Sequence, residues 1–498
     1  MKGIVILAMA FILLEAKKTD PGVIGRLTLK GLEYGWKVGL EELQKQLSTI
    51  HIPDIDGTVK VAVIGNVKYY VTELKIENLD FSDSNLTYCP DTGINVAIRQ
   101  GQFQIVGHIR IHSSLFSGSS QMKLSVWGFS VAGSVGITCD DYGHGAVWDA
   151  GCSSDVVQVD LSFSGGSGWV FSMFKGAMIG PIRSAISSQI CPSFEKAVQQ
   201  MEKTLSTLPV SIPVDSVSDV EVNLVGPPLI ASKQFDLLVK ADFVAQSQHL
   251  TPYHPEKLVL PDVDSRMLLI ALSQFSANSA GFVHYKAGFL KYNITDDMIP
   301  KISPIRLSIE SLKIFAPELP SRYPDSPPLL LQISAHSAPT VTCLLDSLTV
   351  QASMDIEVFA MCPDRPSISL FQIQADFLTG VDIVLSEETV GATISVKNFS
   401  LSLVHSSVGT VKVDVIQKTL NFALKILLPF LNGHLKNIIP LPPNMLRLQN
   451  PVVRVMQGYV VIMTDLEATL PSLNFSKVFE GQRFKLFGSQ ELQLSVAE

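Results

Sequence analysis

Six cysteines carry the clearest chemistry in this chain of 498 residues. None forms a Cys-x-x-Cys pair and no Cys/His spacing fits a tetrahedral zinc site, so they read as disulfide candidates. Cys191 falls inside a long apolar repeat, and Cys152 sits just before the strand-like run Val157, Val159, Leu161 and Phe163. A Cys152–Cys191 bridge would pin helix to sheet. Cys89 and Cys139 are candidates for a second bridge. Cys343 and Cys362 flank Leu348, Val350, Ala352, Met354, Ile356, Val358 and Ala360, whose unbroken alternation predicts one long strand. The ends of such a strand cannot be joined, because Cα atoms beyond about 7 Å do not bridge.

Other reactive residue types lead nowhere catalytic. His108 and His112 are four apart, which would make a metal pair on a helix. In an alternating strand they lie about 13 Å apart, so they read as solvated side chains. Gly128-Phe129-Ser130-Val131-Ala132 loosely matches a nucleophile elbow, but that motif needs a strand–turn–helix and this stretch alternates throughout. No Gly-x-Gly-x-x-Gly, phosphate loop or His-Glu-x-x-His is present. The expectation is a protein that is not an enzyme, with no catalytic residue, metal or cofactor. Asn85, Asn293, Asn398 and Asn474 each open an Asn-x-Ser/Thr sequon.

The elements around these residues are greasy. The chain is 46% hydrophobic and 17% charged, and its mean hydropathy is +0.29. Beyond residue 20 no uninterrupted apolar run reaches the roughly 18 residues of a membrane span, so an internal apolar cavity accounts for the composition better. A pI of about 5.7 disfavours nucleic acid. Met1-Lys2, an apolar Gly3–Leu14 and a small residue at Ala16 read as a signal peptide, 1–16, which makes the expected location extracellular.

The organising stretch is Trp169 to Leu208. Val170, Phe174, Met178, Ile182, Ile186, Ile190, Phe194 and Val198 recur every fourth residue, which keeps them on one slowly winding helical face. Pro181 and Pro192 predict a kinked or two-piece helix. Before it, Val23 to Leu47 reads as an amphipathic helix, and Val59 to Phe163 as long bent antiparallel strands with a bulge at Trp127–Gly128. Residues 249–262 hold Pro252, Pro255 and Pro261 and read as a linker. Strand patterns follow from Leu268 to Leu290 and up to Val404. A second long helix then carries Phe422, Ile426 and Phe430 and ends at Pro440, Pro442 and Pro443. The same order in both halves suggests an internal duplication, 17–248 and 263–498.

Asp20-Pro21-Gly22-Val23, Lys30-Gly31-Leu32-Glu33-Tyr34, Ile52-Pro53-Asp54 and Gly168-Trp169 recur in a recognisable order with Cys191. Asp215-Ser216-Val217, Asp296-Asp297-Met298-Ile299-Pro300-Lys301 and Pro440-Leu441-Pro442 continue it. Together they resemble the family of bactericidal/permeability-increasing protein and lipopolysaccharide-binding protein, to which plasma lipid-transfer proteins are related. The resemblance implies an α+β boomerang of two antiparallel β-barrel/long-helix rolls joined by a central sheet. It implies an apolar pocket for phospholipid acyl chains in each roll, and the Cys152–Cys191 bridge. It also implies lipopolysaccharide, or a bacterial outer-membrane surface, as a partner in innate defence. Val170, Phe174, Met178 and Ile182 in the first half, and Phe422, Ile426 and Phe430 in the second, are the residues chosen for acyl-chain contact. The same side chains would also serve as plain core packing.

The chain departs from the family where the bactericidal member is rich in lysine and arginine. The corresponding stretches Ile52–Tyr70, Gln100–Lys123 and Gln158–Gly168 hold only Lys60, Lys68, Arg110 and Lys123, with His108 and His112. Residues 17–248 carry 18 Lys and Arg against 23 Asp and Glu, a net of −5. Each basic residue near an anionic surface is worth about 1 kcal/mol, so capture by charge is not expected. The alternatives are a lipid carrier or transfer protein without a microbial role, and a secreted structural or matrix component that keeps the fold.

Overall fold

The computed structural model describes residues 19–468 apart from the short stretches 50–51, 53, 62–64, 167, 246–250, 263–264, 300–304, 363–365, 387–388, 437–438 and 441–445. The expected leader and Asn474 lie outside the described residues.

The chain opens with strand β1 (Val23–Thr28), whose alternate residues are buried, and continues directly into helix α1 (Leu29–Thr49). The expected helix from Val23 thus starts six residues later. Tertiary pairing overrides the helical spacing, because β1 is gripped by strands on both sides. Long antiparallel strands follow: β2 (Ile55–Val61), β3 (Gly65–Asp80), β4 (Ser84–Cys89), β5 (Gly93–His112), β6 (Ser117–Cys139) and β7 (Gly145–Ser164). They pair in the order β2-β3-β5-β6-β7, with β4 also on β5. The register slips where β6 passes Phe129, beside Gly128 at φ +65°, so the bulge falls where the alternation changes phase. Helix α2 (Gly168–Leu205) is one continuous element with Pro181 and Pro192 inside it, not two pieces.

Short strands β8 (Ser211–Pro213), β9 (Ser218–Glu221), β10 (Leu229–Ala231), β11 (Gln234–Val239) and β12 (Asp242–Ala245) complete the first half. Residues 251–262 have no regular structure, yet Leu258 and Leu260 are buried among Ile24, Leu269 and Val461. This segment is a packed strap.

Strand β13 (Leu268–Ser273) gives way to helix α3 (Gln274–Lys286), which is capped by the Ser273 hydroxyl accepting from the Phe275 N–H. The strand expected to reach Leu290 therefore stops at Ser273, where a side-chain cap supplies the acceptor that a helix start requires. Strand β14 (Lys291–Thr295) and one-turn helices α4 (Ile309–Leu312) and α5 (Leu319–Arg322) lead to β15 (Leu329–Ala335), β16 (Thr340–Leu344) and β17 (Ser347–Ala360). Next come β18 (Ile368–Leu385), β19 (Thr389–Ser406), helix α6 (Val413–Leu435), β20 (Ile439–Pro440), β21 (Leu446–Met456) and β22 (Tyr459–Ala468). The second sheet runs β14-β15-β17-β18-β19-β20.

A central six-stranded sheet, β10-β11-β1-β13-β22-β21, draws three strands from each half, and β1 joins them by pairing with both β11 and β13. The fold is thus α+β: two antiparallel sheets, each followed by a long late helix, meeting in a shared sheet. One hydrophobic cluster fills the first half (Val71, Ile109, Val126, Leu161, Phe171 and Ile182 among others) and a separate one fills the base of the second (Leu319, Leu370, Phe371 and Val408 among others).

Cys152 and Cys191 are bonded, with Cα atoms 5.6 Å apart. Cys89 and Cys139 are free. They sit on β4 and β6 with β5 between, and strands spaced about 4.8 Å apart place them beyond bridging reach. Cys343 pairs opposite Leu348 at the start of β17 and Cys362 follows its end, so the two are separated by the length of that strand.

Candidate functional site

Helix α2 is held onto β7 at three levels. Lys175 Nζ meets Asp160 Oδ1 at 2.5 Å, the disulfide fixes the middle, and Glu202 Oε2 accepts the Val147 N–H at 2.5 Å near the end. Its apolar face is accordingly pressed down. Ile182 is 2% exposed within the first cluster, and Met178, Ile179, Ile186 and Ile190 pack against it half-buried. The side chains of Val170 and Phe174 lie outside the described residues.

Helix α6 is held differently. Val413, Val415 and Ile416 at its start pack on the second cluster. Near its end the Asn432 side chain makes two hydrogen bonds to β19: Nδ2 donates to the Ile394 carbonyl at 3.0 Å, and Oδ1 accepts the Ile394 N–H at 2.8 Å. Gly391 lets the helix end come this close, since a Cβ there would lie 2.0 Å from the Lys436 carbonyl oxygen. Between the two anchors the apolar face is bare: Phe422 is 68% exposed, Ile426 61% and Phe430 66%, with Leu427 and Leu431 also exposed. At 100° per residue Phe422, Ile426 and Phe430 drift only about 40° per step, so they form one stripe. The helix and its two caps carry Lys412, Lys418, Lys425 and Lys436 against the single acid Asp414.

The two sets of chosen residues therefore sit in opposite environments. Met178 and Ile182 belong to a filled core, whereas Phe422, Ile426 and Phe430 form an apolar strip that no described side chain covers. Each large side chain left so exposed forgoes roughly 1.5–3 kcal/mol of burial, which a bound acyl chain would supply.

The three stretches compared at the tip do come together. Register pairs Lys68 with His112, Tyr70 with Arg110 and Thr72 with His108, and β6 pairs Ser119 with Arg110 while β7 pairs Ser164 with Gln121. The β2 and β7 C-terminal ends and the β5–β6 junction thus share one end of the sheet. Val67, Tyr69, Val71, Ile109 and Ile111 point into the core, so Lys68, Arg110, His108 and His112 project outward. His108 Nε2 stands 3.6 Å from Glu73 Oε2, which offsets part of this charge. Ser130 lies mid-strand in β6, which lacks the strand–turn–helix that a nucleophile elbow requires.

Residues 31–208 match the LBP / BPI / CETP family, N-terminal domain, and residues 213–468 match the LBP / BPI / CETP family, C-terminal domain. The chain is 31% identical over 467 residues to a bactericidal permeability-increasing protein of Sebastes schlegelii, covering 93% of this chain and 98% of that one. It is 28% identical over 432 residues to the human lipopolysaccharide-binding protein, covering 86% and 89% of the two chains. A crystal structure of lipopolysaccharide binding protein superposes with a TM-score of 0.58 at 25% identity, covering 91% of this chain and 100% of that one.

Proposed function

Because this chain belongs to the LBP / BPI / CETP family, a family of lipid-binding proteins, we propose that it is a secreted carrier of phospholipid-type acyl chains. One site lies in each half, 17–248 and 263–498, and the second is the more open. The observation that carries this reading is the bare strip of α6, with Phe422, Ile426 and Phe430 each more than 60% exposed between two anchored ends. An acyl chain lying along it recovers apolar burial. In the first half the corresponding helix is α2, where half-buried Met178 would meet an acyl chain and Ile182 stays in the core.

Lipopolysaccharide, or the outer-membrane surface that bears it, is the microbial ligand this reading favours. Its acyl chains rather than its phosphates are what this chain is built to engage, since the tip carries few cations in a half of net charge −5. Mass spectrometry of lipids extracted from the purified secreted protein tests the proposal. Stoichiometric phospholipid supports it, and an apo protein that takes up no lipid from vesicles overturns it.

A further inference from the structure

On the outer face of the first sheet, β4, β5, β6 and β7 carry two adjacent cross-strand rows of small and uncharged residues. One row is Asn85, Ala97, Ala132 and Ser153; the next begins Thr87, Asn95 and Ser134. Side chains paired this way share a face. An outer face normally bears long charged side chains, but here it is pared back to a groove of about 570 Å³, with Arg99 at its rim. Asn95 and Ser134 are hydrogen-bonded to each other. The Asn85 side-chain oxygen is buried in the wall and has no hydrogen-bond partner among the described residues. An unmatched buried acceptor costs about 1–3 kcal/mol, so a donor is called for there.

Asn85-Leu86-Thr87 is a sequon, and its Asn and Thr both line this groove. We propose that Asn85 carries an N-linked glycan whose innermost sugar lies in the groove. The reaction joins Asn85 Nδ2 to the anomeric carbon of an oligosaccharide held on a lipid pyrophosphate. The carbon–oxygen bond to the pyrophosphate breaks, its electron pair leaves with that group, and the amide gives up one proton. The linkage consumes the amide nitrogen only, so Oδ1 remains an acceptor for a sugar hydroxyl or acetamide N–H. Ala97 and Ala132 give a flat floor for a pyranose ring. Thr87, Asn95, Ser134, Ser153 and Arg99 offer donors and acceptors at its edges. Asn293 and Asn398, by contrast, are exposed and do not line this groove.

The test uses the full chain secreted from a eukaryotic cell, with glycopeptide mass spectrometry and timed release by an N-glycanase. The glycan at Asn85 should be present, and its release from the folded protein should be at least tenfold slower than from the denatured chain. Ala132→Arg, at an exposed position, fills the floor and should bring the folded-state rate close to the denatured one. An unoccupied Asn85, equal rates in the two states, or slow release that Ala132→Arg leaves unchanged would each overturn the proposal.

Discussion

Arg26 and Asp236 meet across the β1–β11 pairing in a two-pronged hydrogen bond, Nε to Oδ1 at 2.7 Å and Nη2 to Oδ2 at 2.8 Å, with both residues under 9% exposed. The third guanidinium nitrogen donates to the Pro261 carbonyl at 3.4 Å, which ties the 251–262 strap to the central sheet. Breaking such a pair from one side strands a buried charge. Arg26→Ala should cost about 3–5 kcal/mol in chemical denaturation, and the double replacement Arg26→Met with Asp236→Leu should recover most of it. A double variant no more stable than Arg26→Ala would count against this account.

The Cys152–Cys191 bridge closes a loop with a sequence separation of 39. Chain-entropy reasoning puts its contribution at about 4 kcal/mol. Reduction, or replacement of both cysteines by serine, should lower the unfolding midpoint of the first half accordingly. Peptide mapping of unreduced protein should recover the pair, with Cys89 and Cys139 alkylated as free thiols.

His284 of α3 and Asp215 make a pH-dependent joint. His284 Nε2 lies 2.7 Å from Asp215 Oδ2, and its Nδ1 lies 2.7 Å from the Ala280 carbonyl oxygen. Burial opposes charging of the imidazole, but the Ala280 carbonyl and the Asp215 carboxylate outweigh it and raise its pKa above the ordinary 6.5. The His284 side chain, with the N–H groups of Val217 and Ser218, lowers the Asp215 carboxyl to about 2. The raised histidine stabilises the fold fully below pH 6.5 and loses that contribution as pH rises through its folded value. The lowered aspartate stabilises above its ordinary 3.8 and loses it as pH falls through about 2. The joint should therefore be firmest between those ordinary values. Protection factors at residues 215–218, taken relative to the intrinsic base-catalysed exchange rate, should fall on the alkaline side, and His284→Gln should remove that fall.

Ile182→Asp and Ile426→Asp separate packing from ligand contact. Ile182 is 2% exposed, so a charge there should cost several kcal/mol and cut the yield of folded protein. Ile426 is 61% exposed, so its melting temperature should shift by no more than about 2 °C while bound lipid falls. Full lipid retention in Ile426→Asp would remove α6 from the binding surface.

Any affinity for lipopolysaccharide should change little between low and physiological salt, because exposed charges are screened while apolar burial is not. A steep loss with added salt would place the interaction at Lys68, Arg110 and the tip histidines instead.

The architecture was readable where one period dominates. The stride of four from Trp169, the alternation of Leu348–Ala360 and the phase change at Gly128 all became the elements they announced. The misses have physical causes. Val23–Thr28 has helix-compatible spacing and becomes a strand because partners far along the chain claim it. Pro181 and Pro192 allowed either a bent or a two-piece helix, and only the second is excluded: each forfeits a backbone hydrogen bond, but burial of Ile182 and Val198 together with the disulfide holds α2 in one piece. The Leu268–Leu290 run hides a helix start because Ser273 acts through a hydrogen bond, not through hydropathy. At the candidate site, the stripe of Phe422, Ile426 and Phe430 has the same spacing whether it packs or waits for a ligand. Its exposure depends on how far α6 stands from the sheet, which spacing does not encode. The groove beside Asn85 depends on four strands in register, and its sequon was the one local sign of it.

The central sheet also sets the order in which this protein can be made. Its neighbours β1, β13 and β22 begin at Val23, Leu268 and Tyr459, near the start, the middle and the end of the described chain. While synthesis proceeds, β1 can pair with β11 and then with β13, but β13 keeps a bare hydrogen-bonding edge until β22 emerges. Such long-range pairing is slow, and an open edge of Leu268–Ser273 is a template for aggregation. A chain stopped before Tyr459 would keep both late helices and both large sheets, yet leave its central seam unsealed.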